Sequence, residues 1–335
     1  MNLSDFYFRF KQYLWYNLVN CLINKQVYNY LYCSFWNYKL RRKGTDKNKT
    51  CYFAARPNPS AGIGHQLANW IAGYWFAKQF SLNFAHIPFS TQKWEFFMGF
   101  GDDEEKVEEL IKNGYKARKL PLFNEDKSEE VELIKKIILS YSGKKIVFIA
   151  EQDQYYRNQF GVIKDIKRKF NQASARKNDQ IIYVPSHFNI AVHVRRTVVI
   201  GNKEIIEDDA AKAMRWLNND YYEKVLKQVL ENIRVSKPIS IYLFSTGKPE
   251  EFAEFSKYGD VHFCSLMDEY ASFLHLIRSD LLITSKSSYS YKPALLSEGI
   301  KICPRHFWHG YPEGKDWILA ENDGSFDTNS LKEVL

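Results

Sequence analysis

The feature that most constrains this chain lies in its C-terminal half, where short apolar, β-rich runs alternate with helical segments at close spacing. NIAVHVRR (189–196) precedes NNDYYEKVLKQVLENI (218–233), ISIYLFST (239–246) precedes PEEFAEFSKY (249–258), and VHFCS (261–265) precedes DEYASFLHLIRS (268–279). DLLITSK (280–286), SYSYKPALLSEG (288–299) and IKICP (300–304) continue the pattern. Parallel strands need a crossover between them, most often a helix, so this alternation predicts a parallel, doubly wound α/β sheet.

The same logic applies nearer the N-terminus. CYFAAR (51–56) and LNFAHI (82–87) predict strands, and HQLANWIAGYWFAKQF (65–80) between them has apolar residues at helical spacing, which makes one βαβ unit. KIVFIA (145–150) predicts a further strand, whereas the mixed-charge stretches Gly101 to Lys144 and Gly161 to Lys177 read as solvated helices. A chain of 335 residues, 45% hydrophobic and 16% aromatic, can bury two cores of ordinary size. Two doubly wound units would leave a cleft between them.

Charge is unevenly spread. The net charge is +8, and residues 1–45 hold seven Lys and Arg against Asp5 alone. A nearly neutral remainder argues against nucleic acid as a partner, which calls for a basic face on the folded domain. The basic segment is crowded with aromatics, as in DFYFRFKQYLWYNLVNCLI, and its uncharged runs fall short of the ~20 apolar residues of a spanning helix. It reads either as an interfacial helix on the cytoplasmic face of a membrane or as a helical hairpin packed on the first domain. It has neither the compact apolar region nor the cleavage site of a signal peptide.

Cys21, Cys33, Cys51, Cys264 and Cys303 are odd in number, widely spaced and without a CxxC pair, so a reducing, cytoplasmic setting is expected. No metal is expected either. Asp102-Asp103 and Asp208-Asp209 lie in solvated charge runs, and His306 and His309 have no third ligand nearby.

Three stretches carry chemistry. In AVHVRRT (191–197) the period of a strand places His193 and Arg195 on one face and Val192 and Val194 on the other, with Arg196 emerging as the strand ends. Open parallel sheets bind ligands beyond their carboxyl edge, and two permanent cations there suit a diphosphate; the alternative is an ion pair with Glu207-Asp208-Asp209. In TSKSSYS (284–290) a strand hands over to a helix whose N–H groups and dipole attract anions, while Ser287 or Ser288 can equally serve as its N-cap. Gly62-Ile-Gly64-His65-Gln66 is a glycine loop running into a helix, whose glycines can take positive φ and let backbone come close to a ligand; it matches neither GxGxxG nor a Walker loop.

Together HVRRT, the upstream GIGHQL and the downstream TSKSSYS resemble the α1,2/α1,6/protein-O-fucosyltransferase superfamily, with HxRRxD, G-x-G-N-Q-L and serine-rich motifs in the same order across roughly 50–305. The resemblance implies the GT-B architecture: a Rossmann-like acceptor-side domain (46–178) facing a Rossmann-like nucleotide-sugar domain (179–335), behind the aromatic N-terminal segment (1–45). It implies an inverting, metal-independent transferase moving L-fucose from GDP-fucose to an oligosaccharide or lipid-linked glycan, with no resident cofactor. Arg195 or Arg196 would hold the β-phosphate, His193 would lie beside the nucleotide, and Ser287, Ser288 and Ser290 would complete the phosphate pocket. Gly62, Gly64, His65 and Gln66 would come to the cleft from the first domain.

The chain also departs from the pattern. Val198 stands where the family has its aspartate and His65 where it has asparagine. Glu204, Glu207 or Asp208 then becomes the candidate base, with Glu204 foremost, and Asp268, about a helical turn before the guanine-reading position near Ser272, the candidate base reader. A different nucleotide sugar, or a non-catalytic glycan- or nucleotide-binding relative, are the alternatives these departures leave.

Overall fold

The computed structural model describes residues 10, 13, 14, 17, 50–150, 160–196 and 214–335, with backbone alone at 198–200 and 203–205. Apart from those first four positions, the aromatic N-terminal segment and its expected contacts lie outside the described residues.

The first sheet comprises β1 (Cys51–Ala55), β2 (Asn83–His86), β3 (Glu105–Lys106), β4 (Lys116–Lys119) and β5 (Ile146–Ala150), in the order β3-β2-β1-β5-β4 with every neighbour parallel. Its helices are α1 (Ile63–Gln79), α2 (Gln92–Met98), α3 (Val107–Lys112) and α4 (Ser128–Leu139), and α5 (Ile163–Gln172) follows. β3 and β4 correct the reading of 101–144 as helices alone. They are the outer strands, and all four side chains of Lys-Ala-Arg-Lys at 116–119 are exposed. Charge on an edge strand discourages further pairing, which is why the stretch lacks an apolar signature.

The second sheet comprises β6 (Phe188–Val194), then, beyond an antiparallel hairpin of β7 (Val198–Ile200) and β8 (Lys203–Ile205), the strands β9 (Ile239–Ser245), β10 (Val261–Phe263), β11 (Leu281–Ile283), β12 (Ile300–Pro304) and β13 (Trp317–Ala320). All its pairings are parallel and its order is β10-β9-β6-β11-β12-β13. Numbered within this sheet, the order is 3-2-1-4-5-6, that of the doubly wound nucleotide-binding fold. The helices are α6 (Asn219–Asn232), α7 (Glu269–Arg278), α8 (Ser288–Leu296) and α9 (Thr328–Lys332). Pro249–Tyr258 forms 3₁₀ turns broken at Phe252, not an α-helix.

The β6 alternation resolves as the residue pattern requires. Ile190, Val192 and Val194 pack with Tyr222, Val225, Leu226 and Val229 of α6, while Ala191 faces Leu276 of α7 and Ala294 of α8. The other faces of α7 and α8 carry Phe273, Leu274, Ile277, Tyr291, Leu295 and Leu296 into the core that holds Trp70, Phe76, Ile134, Ile166 and Phe170 of the first half. Each such side chain contributes about 1.5–3 kcal/mol when fully buried, so the two sheets are fixed to one another by apolar packing. The segment joining the halves is tied down too. His275 Nδ1 donates to the Ala271 carbonyl at 2.7 Å, leaving Nε2 to accept the Ile182 N–H at 2.9 Å.

Candidate functional site

In a 3-2-1-4-5-6 sheet the crossovers leave opposite sides on either side of the 1/4 boundary, opening a crevice at the carboxyl ends of those two strands. Here the boundary falls between β6 and β11, which are in register from Ile190↔Leu281 to Val192↔Ile283. The residues that leave these strands are therefore His193-Val194-Arg195-Arg196 and Thr284-Ser285-Lys286-Ser287-Ser288. Both motifs singled out in the sequence meet at the position where this topology binds ligands.

α8 starts in that crevice. Ser287 is its N-cap, with Oγ accepting the Tyr289 N–H at 3.2 Å. Arg195 Nη1 lies 3.5 Å from the same Oγ, which puts one guanidinium beside the helix N-terminus. The first turn of α1 arrives from the other sheet. A Cβ added to Gly64 would stand 2.7 Å from the Ser288 carbonyl carbon and 2.7 Å from its Cβ, so only glycine lets the two helix ends touch. Neither helix carries an acidic residue in its first turn. Two positive dipole ends converge with no carboxylate of their own to offset them.

Lys286, in the turn before α8, directs its ammonium to the loop after β13. It is 9% exposed, its Nζ donates to Asn322 Oδ1 at 2.9 Å, and burial lowers its pKa. Among the described residues no carboxylate lies within ion-pair distance of it. His193 is buried beneath the crevice, with Nδ1 2.7 Å from Ser285 Oγ and its ring 5.4 Å from Tyr289. Burial, and then the charge of Arg195, hold its pKa down at about 3, so the ring is neutral at physiological pH.

The two arginines part company. Arg196 is 8% exposed and turned into the second half: Nη1 donates to the carbonyls of Arg195 (2.9 Å) and Leu217 (3.2 Å), Nη2 to Asn219 Oδ1, and the guanidinium lies 4.5 Å from the Trp216 ring centroid and 5.3 Å from that of Phe252. Its role as described is to brace the chain leaving β6, and Arg195 is the arginine at the helix end. The sequence signal is the same for both, because a dipeptide at a strand end does not disclose which side chain turns inward.

Other candidate residues are spread between the site and its frame. His65 lies close enough to His309 to help depress that residue's pKa, and Ser288 Oγ is 3.1 Å from His309 Nε2, so Gly64, His65 and Ser288 do meet. Gln66 is used as a strut, its amide donating to Ala61 O (2.8 Å) and Ser90 Oγ (2.7 Å) and accepting the Ser90 N–H (2.8 Å). Gly62 has φ −63° and open space around it, so neither glycine of the loop uses a left-handed conformation as the sequence suggested. Ser290 is fully buried, its Oγ within 3.2 Å of the Ser285 N–H and Oγ, inside the turn. Asp268 Oδ1 caps α7, accepting from Tyr270 N (2.9 Å) and Ala271 N (2.8 Å). Glu204 pairs through its backbone with Val199 in the hairpin, and its side chain, with Glu207 and Asp208, lies outside the described residues.

His309 enters the sequence reading only as a metal ligand, and the structure gives it another place. It follows β12 in a non-helical turn, and Trp308 Nε1, which can only donate, points at its Nε2 from 3.2 Å. The proton of the ring therefore sits on Nδ1, and burial holds the pKa down at about 2. Nothing in the sequence joins His309 to Ser288, 21 positions earlier.

No family model and no curated protein matches this chain. Among solved structures it is similar to NodZ α-1,6-fucosyltransferase co-crystallised with GDP (12% identity, 83% of this chain and 97% of that one, TM-score 0.46). It is similar also to POFUT1 in complex with GDP (13%, 76% and 97%, TM-score 0.41) and to a mutant of Arabidopsis thaliana FUT1 in complex with GDP (10%, 84% and 76%, TM-score 0.45).

Proposed function

We propose that this chain is a glycosyltransferase whose donor is a nucleoside diphosphate sugar, the diphosphate lying at the rim of the second sheet. The observation that carries this reading is the meeting of the α1 and α8 N-termini, with no acidic residue in either first turn, beside Arg195 at the β6/β11 crevice. Converging helix N–H groups and a guanidinium offer donors and positive charge together, and a phosphate is the counter-charge this set of donors fits.

The chemistry follows from the charges. When the bond between the sugar and the phosphate breaks, the electron pair stays on the phosphate oxygen. Fixed donors in a covered crevice stabilise that growing charge more than they stabilise the bound donor. Arg195 and the helix N–H groups together provide positive charge that a divalent ion could otherwise bring, which supports a metal-independent reaction. The acceptor oxygen attacks the anomeric carbon opposite the departing phosphate, inverting it, while its proton passes to a base. HVRRT with GIGHQL and TSKSSYS supports GDP-fucose as the donor and a glycan as the acceptor. The aromatic, basic N-terminus supports docking on the cytoplasmic face of a membrane where lipid-linked glycans are exposed.

A second reading comes from Val198, which follows the arginines where related enzymes place an aspartate: a chain that binds nucleotide or glycan without turnover. Thermal-shift titration with GDP, UDP and ADP, followed by assay of sugar release from the matching donor, tests both. A rise in Tm with GDP above that with UDP or ADP, together with fucose release from GDP-fucose, is the expected result. No response to GDP overturns the donor assignment, and a response without release or transfer favours the binder.

A further inference from the structure

Four cations outside the crevice play no part in the chemistry above. Lys116 and Arg118 lie on one side of β4, the outer strand of the first sheet, and Lys144 and Lys145 end the turn that leads into β5. The ladder brings them together, the Lys116 N–H donating to the Lys145 carbonyl at 3.0 Å. All four are exposed, and among the described residues none has a carboxylate within ion-pair distance: Arg118 Nη1 donates to the Ala117 carbonyl (3.0 Å), Lys145 Nζ to that of Asn113 (3.4 Å), and Glu108 and Glu109 of α3 are held by Lys112 (3.2 and 2.8 Å). Protection of a sheet edge accounts for Lys116 and Arg118. It does not account for Lys144 and Lys145, because β5 has a strand on each side.

Aromatic rings are set among these charges. Lys145 Nζ lies 5.7 Å from the centroid of Tyr115, whose ring meets Tyr52 edge-on at 5.5 Å, and Lys144 Nζ lies 5.5 Å from the centroid of Tyr141. Ile111, near the end of α3, is 48% exposed. Phenols with an apolar body and a polar tip, beside ammonium groups, suit the headgroup level of an anionic leaflet.

Residues 1–49 join the body at this place: Thr50 Oγ1 donates to the Lys144 carbonyl at 3.3 Å, and Cys51 opens β1 opposite Ile146. In that segment Phe10, Tyr13 and Leu14 hold helical positions i, i+3 and i+4 and are 50%, 65% and 52% exposed, which leaves one helix face apolar and open. Such a face seeks a hydrocarbon boundary, which a nucleic acid does not offer. β1 then runs from this edge toward the crevice, its five residues spanning about 17 Å before the loop into α1, whose Gly64 rests on Ser288. A surface held at the amino end of the first sheet therefore leaves the crevice uncovered.

We infer that the first half rests on an anionic bilayer through Lys116, Arg118, Lys144 and Lys145, with the apolar helix face of the N-terminal segment entering the same leaflet and the donor crevice at the far end of the sheet. This rests on the reading that the N-terminal segment docks on a membrane, and adds to it a contact made by the folded body and an orientation.

The test is flotation of the full-length chain with vesicles of phosphatidylcholine alone or with an equal part of phosphatidylglycerol. Wild type should float with the anionic vesicles far more than with the neutral ones. Lys144→Glu/Lys145→Glu and Lys116→Glu/Arg118→Glu should each lower its partition about tenfold or more, and Lys144→Arg/Lys145→Arg should keep it. Because the side chains are exposed and remote from the crevice, every variant should retain the Tm of wild type and its response to GDP. Flotation of either reversed pair at the wild-type level, or equal flotation with both vesicles, overturns the inference; loss in Tyr13→Ser/Leu14→Ser alongside leaves docking by the N-terminal segment standing. No flotation of wild type overturns the docking reading and the inference together, and retention of a duplex oligonucleotide by that protein would then assign the four cations to nucleic acid.

Discussion

Gly64 rests directly on the backbone of Ser288, two residues that begin helices from different sheets. A methyl group at 64 would be 2.7 Å from the Ser288 carbonyl carbon and 2.9 Å from its oxygen, and backbone cannot swing aside as a flexible side chain can. Gly64→Ala should therefore separate the two helix N-termini. The expected outcome is a loss of stability of about 1–3 kcal/mol from overpacking, with a loss of nucleotide affinity of tenfold or more. Denaturant unfolding and GDP titration check the two parts, and full GDP affinity in a folded Gly64→Ala protein would show that the contact does not shape the site.

The two arginines should separate in the same measurements. Arg195→Ala removes a guanidinium from the rim and should abolish GDP stabilisation with little change in intrinsic stability. Arg196→Ala strips donors from the Leu217 carbonyl and Asn219 and opens space beneath Trp216, for a loss on the order of 3 kcal/mol. Equal destabilisation by both variants would contradict the division of labour drawn from their geometry.

That division shows where the sequence was legible and where it stopped. Periodicity revealed β1, β2, β5, β6, β9, β10, β11 and β12 with α1, α6, α7 and α8, because buried strands and amphipathic helices carry their environment in their residues, but it did not show α2 or the 3₁₀ character of the turns after β9. β4 and β13 escaped as four-residue edge strands held by one neighbour each, β4 being charged as well. Hydroxyls and cations at strand ends announced a site, since strand direction alone puts them at the carboxyl edge. Which of them face outward depends on contacts between residues far apart in sequence, such as Arg196 with Asn219 across 23 positions or His193 with Ser285 across 92. The Gln66 strut and the contact of His309 with Ser288 belong to the same category: local residue type is common to many roles, and the partner decides.

The buried histidines set a pH dependence. His193 and His309 have folded-state pKa values of about 3 and about 2 against 6.5 in the unfolded chain. Below pH 6.5 the unfolded state binds protons that the folded state refuses, so these two rings contribute stability that is fully present above pH 6.5 and is lost progressively as the pH falls toward their folded values. Each adds up to about one proton taken up on unfolding in that window. His193→Gln should therefore reduce the slope of Tm against pH between about 4 and 6, relative to its own value at about pH 8. An unchanged slope would mean that the ring is already protonated in the folded protein.

Lys286 should show stability and function pulling apart. Its ammonium is largely removed from water, burial lowers its pKa, and it donates to a neutral amide, Asn322 Oδ1. A methionine there keeps much of the length of the side chain and removes the charge, so Lys286→Met relieves desolvation at the cost of one hydrogen bond worth about 0.5–1.5 kcal/mol. Intrinsic stability should stay within about 1 kcal/mol of wild type or rise. The affinity for GDP should fall tenfold or more if the ammonium turns from Asn322 toward a bound phosphate at the α8 N-terminus, where methionine offers no charge. The two readings come from one titration: Tm without nucleotide gives the first, and the concentration dependence of the shift gives the second. A variant that loses stability yet binds GDP as wild type does would make Lys286 a structural residue and leave Arg195 and the paired helix ends to carry the phosphate alone.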